Sequence, residues 1–154
     1  MNDYATILLV DDDENDIILL EKAFAEAGFR NPLVVLRNGD EAIQYLSGTG
    51  IFQDRSEYAW PSLMLLDLKM PAVDGFDVLA WRQKQEDIPD FPIIVLSSST
   101  LESDIKKAMD LGAAGYCAKP ADFRYFVEVA HVIREQLNSS LPMSNLGTRV
   151  FLHK

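Results

Sequence analysis

Ile7-Leu8-Leu9-Val10-Asp11-Asp12 is four apolar residues followed by two carboxylates. No polar residue alternates within the run, which predicts a strand buried on both faces rather than one. The pattern returns at Leu63 to Leu66 before Asp67, at Ile93 to Leu96 before Ser97, and at Tyr116 to Ala118 before Lys119 and Pro120. Leu33 to Leu36 is a fifth such run. Between the runs lie segments with helical spacing, such as Ile17, Leu20, Phe24 and Ala27 ahead of a Gly28 stop, and Phe76, Val78 and Leu79 after Asp74-Gly75. The alternation is β-α repeated five times, the pattern of a parallel α/β sheet. Ligands of such sheets bind outside the carboxyl ends of the strands, so Asp11, Asp12, Asp67, Ser97 and Lys119 are expected to share one site.

The chain has 154 residues, 48% hydrophobic and 25% charged, which suits one domain with a full core. Residues 1–138 are expected to form it. From Asn138 onward, Ser139, Ser140, Pro142, Ser144, Asn145 and Gly147 predict a C-terminal tail over 139–154 with no output domain after it, although Val150, Phe151 and Leu152 are unusually apolar for a free tail. The loop from Ser47 to Pro61 is long, and its Phe52, Tyr58 and Trp60 suggest partial packing; no chemistry is assigned to it.

The formal net charge is -10, with the few basic residues scattered, which argues against direct nucleic-acid binding. No run is long and apolar enough to span a bilayer, and Met1 to Thr6 lacks a secretory pattern, so a cytoplasmic protein is expected. Cys117, the only cysteine, excludes an internal disulfide and is read as a small buried strand residue.

Two adjacent carboxylates at one strand end repel each other unless a cation lies between them. Oxygen-only donors with no histidine or thiolate favour a hard ion, and Mg²⁺ commonly binds through one or two carboxylates, waters and phosphate oxygens. Asp67 would share that cation and could act as a nucleophile, since carboxylates form aspartyl-phosphate intermediates. Ser97 could donate to a phosphoryl oxygen and Lys119 could pair with another. Asp13, by contrast, reads as a helix cap.

The chain resembles the receiver domains of two-component response regulators. The resemblance rests on ILLVDDDEND from Ile7 to Asp16, LLDLKMPAVDGFDVL from Leu65 to Leu79, IIVLSSS from Ile93 to Ser99 and LGAAGYCAKP from Leu111 to Pro120, and spans Ile7 to about Leu137. It implies a doubly wound five-stranded parallel sheet of flavodoxin-like (βα)5 topology, strand order 2-1-3-4-5. By that resemblance Asp67 is the phosphoacceptor, and Asp11 and Asp12 handle Mg²⁺, Asp12 more directly, with the backbone carbonyl of Lys69 completing the metal site. Ser97 is the switch hydroxyl, Tyr116 the rotating aromatic, and Lys119 the phosphate-pairing lysine, joined to Pro120 by an expected cis bond. Lys69 and Ser99 tune the lifetime of the aspartyl phosphate. A long Lys69 side chain is expected to slow hydrolysis; an unchanged decay rate in Lys69→Asn would remove that idea.

The resemblance further implies that phosphorylation alters the surface of the fourth helix, fifth strand and fifth helix. On the last helix, Phe123, Phe126, Val127, Ala130, Ile133 and Leu137 form a stripe expected to face the sheet. Tyr125, Val129 and Val132 form a second stripe on the opposite side, which predicts a homodimer or partner interface. The expected partners are a histidine kinase or histidine phosphotransfer protein and a downstream target. The three-acid start and long loop resemble receivers that accompany phytochrome-type sensor kinases. Two rival readings are a phosphorylation-independent interaction module, whose usual sign is a lost acceptor, acid or lysine, and a Mg²⁺-dependent phosphohydrolase of the haloacid-dehalogenase type. The latter needs a second acid two residues after its nucleophile, where this chain has Lys69.

Overall fold

The computed structural model describes residues 5–138 and 150–151. Five strands lie parallel: β1 (Ile7–Val10), β2 (Leu33–Leu36), β3 (Leu63–Leu66), β4 (Ile93–Ser97) and β5 (Gly115–Ala118), in the order β2-β1-β3-β4-β5. Helices α1 (Glu14–Glu26), α2 (Gly39–Ser47), α3 (Gly75–Gln83), α4 (Glu102–Asp110) and α5 (Phe123–Asn138) alternate with them. This is the doubly wound order that the sequence led us to expect.

The unbroken apolar runs are explained by burial on both faces. Successive side chains of a strand point to opposite faces. Leu8, Val10, Met64, Leu66, Ile93, Val95 and Tyr116 accordingly join one core layer, and Ile7, Leu9, Leu63, Leu65, Ile94, Leu96 and Cys117 the other. The first layer is closed by α2, α3 and α4, the second by α1 and α5. Only β2, at an edge, is half-buried over most of its length.

Local signals set the helix ends. The Asp13 side chain caps α1, accepting from the backbone N–H groups of Asn15 and Asp16 at 2.9 and 3.2 Å, which is the role the sequence reading gave it. Gly28, with φ at +89°, ends the same helix in the left-handed region. Asp74 and Asp77 form a reciprocal capping box at the start of α3.

Three expectations change. A sixth strand, β6 (Val150–Phe151), pairs in parallel with β5 through Tyr116 and Cys117. The exposed edge of β5 offers unpaired backbone groups, and two residues of the expected tail take them; the remainder of 139–154 lies outside the described residues. No cis peptide bond occurs among the described residues, so Lys119–Pro120 is trans, the isomer favoured at X–Pro by about 0.5–1 kcal/mol. Finally, the second stripe of α5 is not a free face. Val129 is 4% exposed inside the core, Val132 packs half-buried against it, and only Tyr125 of the three is exposed. The reason is that α5 lies against α1 as well as the sheet, so its buried arc is wider than a one-sided contact requires.

Candidate functional site

The parallel ladder brings the polar residues to one level. Asp11 N–H donates to the Leu36 carbonyl at 3.0 Å, Asp67 N–H to the Val10 carbonyl at 2.9 Å, and Lys119 N–H to the Ser97 carbonyl at 2.7 Å. Each residue therefore leaves its strand beside the end of the next. Gly75 lets the chain pass close against the Asp67 backbone: a Cβ there would sit 2.4 Å from the backbone oxygen of Asp67.

Asp11, Asp12 and Asp67 each offer a carboxylate oxygen, and these oxygens lie within 4.8 Å of one another. Asp11 and Asp67 are buried while Asp12 is exposed, giving a cluster open on one side. An oxygen-only set of this size and charge fits a hard divalent cation such as Mg²⁺ or Mn²⁺. The Lys119 ammonium closes the other side, donating to Asp11 Oδ2 and Asp16 Oδ2 at 2.8 Å each and lying 3.4 Å from Asp67 Oδ1.

Burial pushes the Asp67 carboxyl up to about 6, with Lys119 opposing the rise and the Asp11 charge adding to it. Asp11 is likewise raised, mainly by burial, with hydrogen bonds from Lys119 and the Asp13 N–H acting against it. For Lys119 burial works toward neutrality, but the bonds to Asp11 and Asp16 and the charge of Asp67 prevail and hold it an ammonium. The Lys119 ammonium thus opposes, at both carboxylates, the loss of charge that burial favours.

Ser97 is fully buried at the end of β4, and its Oγ accepts the Ser99 N–H at 3.1 Å. Tyr116 is also fully buried, its hydroxyl donating to the Ser99 carbonyl at 2.8 Å. The Lys69 ammonium sits 3.4 Å from Asp104. Cys117 is a buried thiol in β5, as its reading from sequence implied, and burial pushes it up to about 12.

The structure thus gathers Asp11, Asp12, Asp67 and Lys119, sets Ser97 and Tyr116 around Ser99, and leaves Tyr125 remote on α5. Sequence reasoning missed two partners. Asp16 lay inside the quoted motif, and its place in the first turn of α1, just above the β1 terminus, was the available signal. Asp104 had none, because nothing near it in sequence points to Lys69.

The response regulator receiver domain family matches residues 7–131, and the chain belongs to it. Among curated relatives, the probable methanogenesis regulatory protein FilR2 of Methanothrix harundinacea is 32% identical over 129 residues, covering 84% of this chain and 81% of its own. The response regulator Rcp1 of Synechocystis is 30% identical, covering 77% and 78%, and its Mn²⁺-bound form superposes with a TM-score of 0.78 at 27% identity, covering 90% and 97%. The phosphorylated cyanobacterial phytochrome response regulator RcpA superposes with a TM-score of 0.80 at 32% identity, covering 90% of this chain and 97% of its own. Membership in this family sets aside the phosphohydrolase reading. No helix among the described residues is long and apolar enough to cross a membrane.

Proposed function

We propose that Asp67 accepts a phosphoryl group from the phosphohistidine of a sensor kinase or phosphotransfer protein, and that the chain signals through the resulting change in its α4-β5-α5 surface. The observation that carries this reading is the convergence of Asp11, Asp12 and Asp67 within 4.8 Å beside an ammonium 3.4 Å from Asp67. An Asp67 oxygen attacks phosphorus, the phosphorus–nitrogen bond to the donor imidazole breaks, and the electron pair stays on the imidazole. Asp11, Asp12, Asp67 and the Lys69 carbonyl would hold Mg²⁺, which supplies charge neutralisation for an anion attacking an anion.

Lys119 and Ser97 act afterwards. The phosphoryl group brings about -1.5 to -2 charge and three acceptor oxygens. Lys119, already 3.4 Å from Asp67, exchanges part of its bonding to Asp11 and Asp16 for one of these oxygens. The Ser97 hydroxyl turns to another, loosening its bond from the Ser99 N–H. Ser99 also holds the Tyr116 hydroxyl, so the movement reaches the aromatic ring and the start of α4. Tyr125 is the exposed aromatic residue of α5 through which a target or second copy could read the change.

Similarity to RcpA, a phytochrome response regulator, supports a phytochrome-type kinase as donor. Residues 1–138 serve as the receiver, and 139–154 as an extension that β6 ties to β5. The test is intact mass after incubation with acetyl phosphate and Mg²⁺. A phosphoryl adduct on the wild type, absent from Asp67→Asn and from an EDTA control, is expected. No adduct on a folded wild type, from acetyl phosphate or a competent kinase, sinks the reading in favour of a binding module.

A further inference from the structure

Asp104 lies outside the carboxylate cluster, in the first turn of α4, yet one of its oxygens reaches both residues that flank the site. Ser99 Oγ donates to Asp104 Oδ2 at 2.6 Å, and Lys69 Nζ is 3.4 Å from the same atom. Leu101 caps α4 without a side-chain acceptor, and its N–H is taken by Ser99 Oγ at 3.2 Å. The start of α4 is therefore fastened through Ser99 and Asp104. The Asp104 side chain is 15% exposed and that of Lys69 58%, so the carboxylate is the fixed partner and the lysine the movable one.

Three carboxylates attract a nearby ammonium on a flexible stem. Lys69 stands two residues beyond Asp67, but among the described ion pairs its partner is Asp104 and that of Asp67 is Lys119. We propose that Asp104 is a positioning residue that holds the Lys69 ammonium away from Asp67 and thereby sets how long a phosphoryl group persists there. The proposal rests on Asp67 being the acceptor. In hydrolysis a water oxygen attacks phosphorus, the bond from phosphorus to the Asp67 oxygen breaks with its electron pair left on the carboxylate, and inorganic phosphate leaves with the water's proton passing to phosphate or solvent. A Lys69 ammonium lying over the phosphoryl oxygens obstructs that approach; one held by Asp104 leaves it open.

Asp104→Asn separates the two roles, because the amide oxygen still accepts from Ser99 while the charge that holds Lys69 is gone. The protein is phosphorylated with acetyl phosphate and Mg²⁺, freed of the donor, and the decay of the adduct followed by intact mass, with thermal midpoints of every variant measured alongside. The expected result is a lifetime lengthened about three- to fivefold, the scale of one half-exposed ion pair. In a Lys69→Ala background the same substitution is expected to change nothing, whereas a merely structural role would shift the decay with or without the lysine. An unchanged or shortened lifetime in Asp104→Asn, or a change that persists without Lys69, overturns the proposal while leaving Asp67 as acceptor. Absence of any wild-type adduct overturns both.

Discussion

The two ends of the sheet are built on opposite principles. At the carboxyl end, Asp11, Asp67 and Ser97 are buried polar residues, and two of the three are acids raised by their own burial. At the amino end, the Ser47 to Pro61 loop folds over α2, and no buried side-chain nitrogen or oxygen in it lacks a hydrogen-bond partner. A 3₁₀ turn at Gly50–Phe52 sets Phe52 against Tyr45 and Tyr58, with ring centroids 5.1 Å apart in each pair. The Tyr45 hydroxyl donates to the Ala59 carbonyl at 2.7 Å, and Arg55 lies 3.9 Å over the Trp60 ring while donating to the carbonyls of Leu46 and Tyr58. One end holds like charges together at a cost in stability, and the other offsets that cost with aromatic packing. A loop to which the sequence assigned no chemistry is thus a structural anchor for the strand that carries Asp67.

If that contrast is correct, damage at the two ends should have opposite signatures. Truncating Tyr45 to Ala should cost about 3–5 kcal/mol, as for other buried aromatics, read from urea unfolding, while any folded fraction still accepts a phosphoryl group from acetyl phosphate. Preserved stability would mean that the loop is not an anchor.

Asp67→Asn should do the reverse. With its folded carboxyl near 6 and an ordinary value of 3.8 when unfolded, the native state binds more protons than the unfolded state between those values. The penalty is complete above about pH 6, shrinks as pH falls through 6, and is gone below the unfolded value. Metal-free Asp67→Asn should therefore be more stable than wild type by about 1–3 kcal/mol at pH 7.5, and equal to it near pH 3.5 if both remain folded. A destabilised variant at neutral pH would contradict the assignment of strain to this end.

The smallest effect concerns α5, which joins neither end. Val129→Ala should cost about 1.5 kcal/mol for two lost buried carbons, and Tyr125→Ala distinctly less. Equal effects at the two positions would revive the second stripe as a free face.

Much of this molecule was legible in one dimension. Burial of Ile7–Val10, Leu63–Leu66 and Ile93–Leu96 on both faces follows from apolar runs without alternation, and the residue after each run must stand at a strand end. The grouping of Asp11, Asp12, Asp67 and Lys119 follows from that rule together with the parallel order of the strands. Val129 misled because a helical stripe identifies a face but not the number of elements packed against it. Val150 to Leu152 stood out as apolar but not as a strand, because two residues are too few to show a strand period and their pairing depends on the free edge of β5.

What the sequence alone determined is where polar chemistry leaves each buried strand, since side-chain alternation and apolar periodicity are properties of neighbouring residues. Only the tertiary structure decided how those charges pair and which others join them. Lys119 joins Asp16 across 103 positions, and Lys69 joins Asp104 rather than Asp67, because Coulomb attraction and desolvation act over ångströms in space and take no account of separation along the chain.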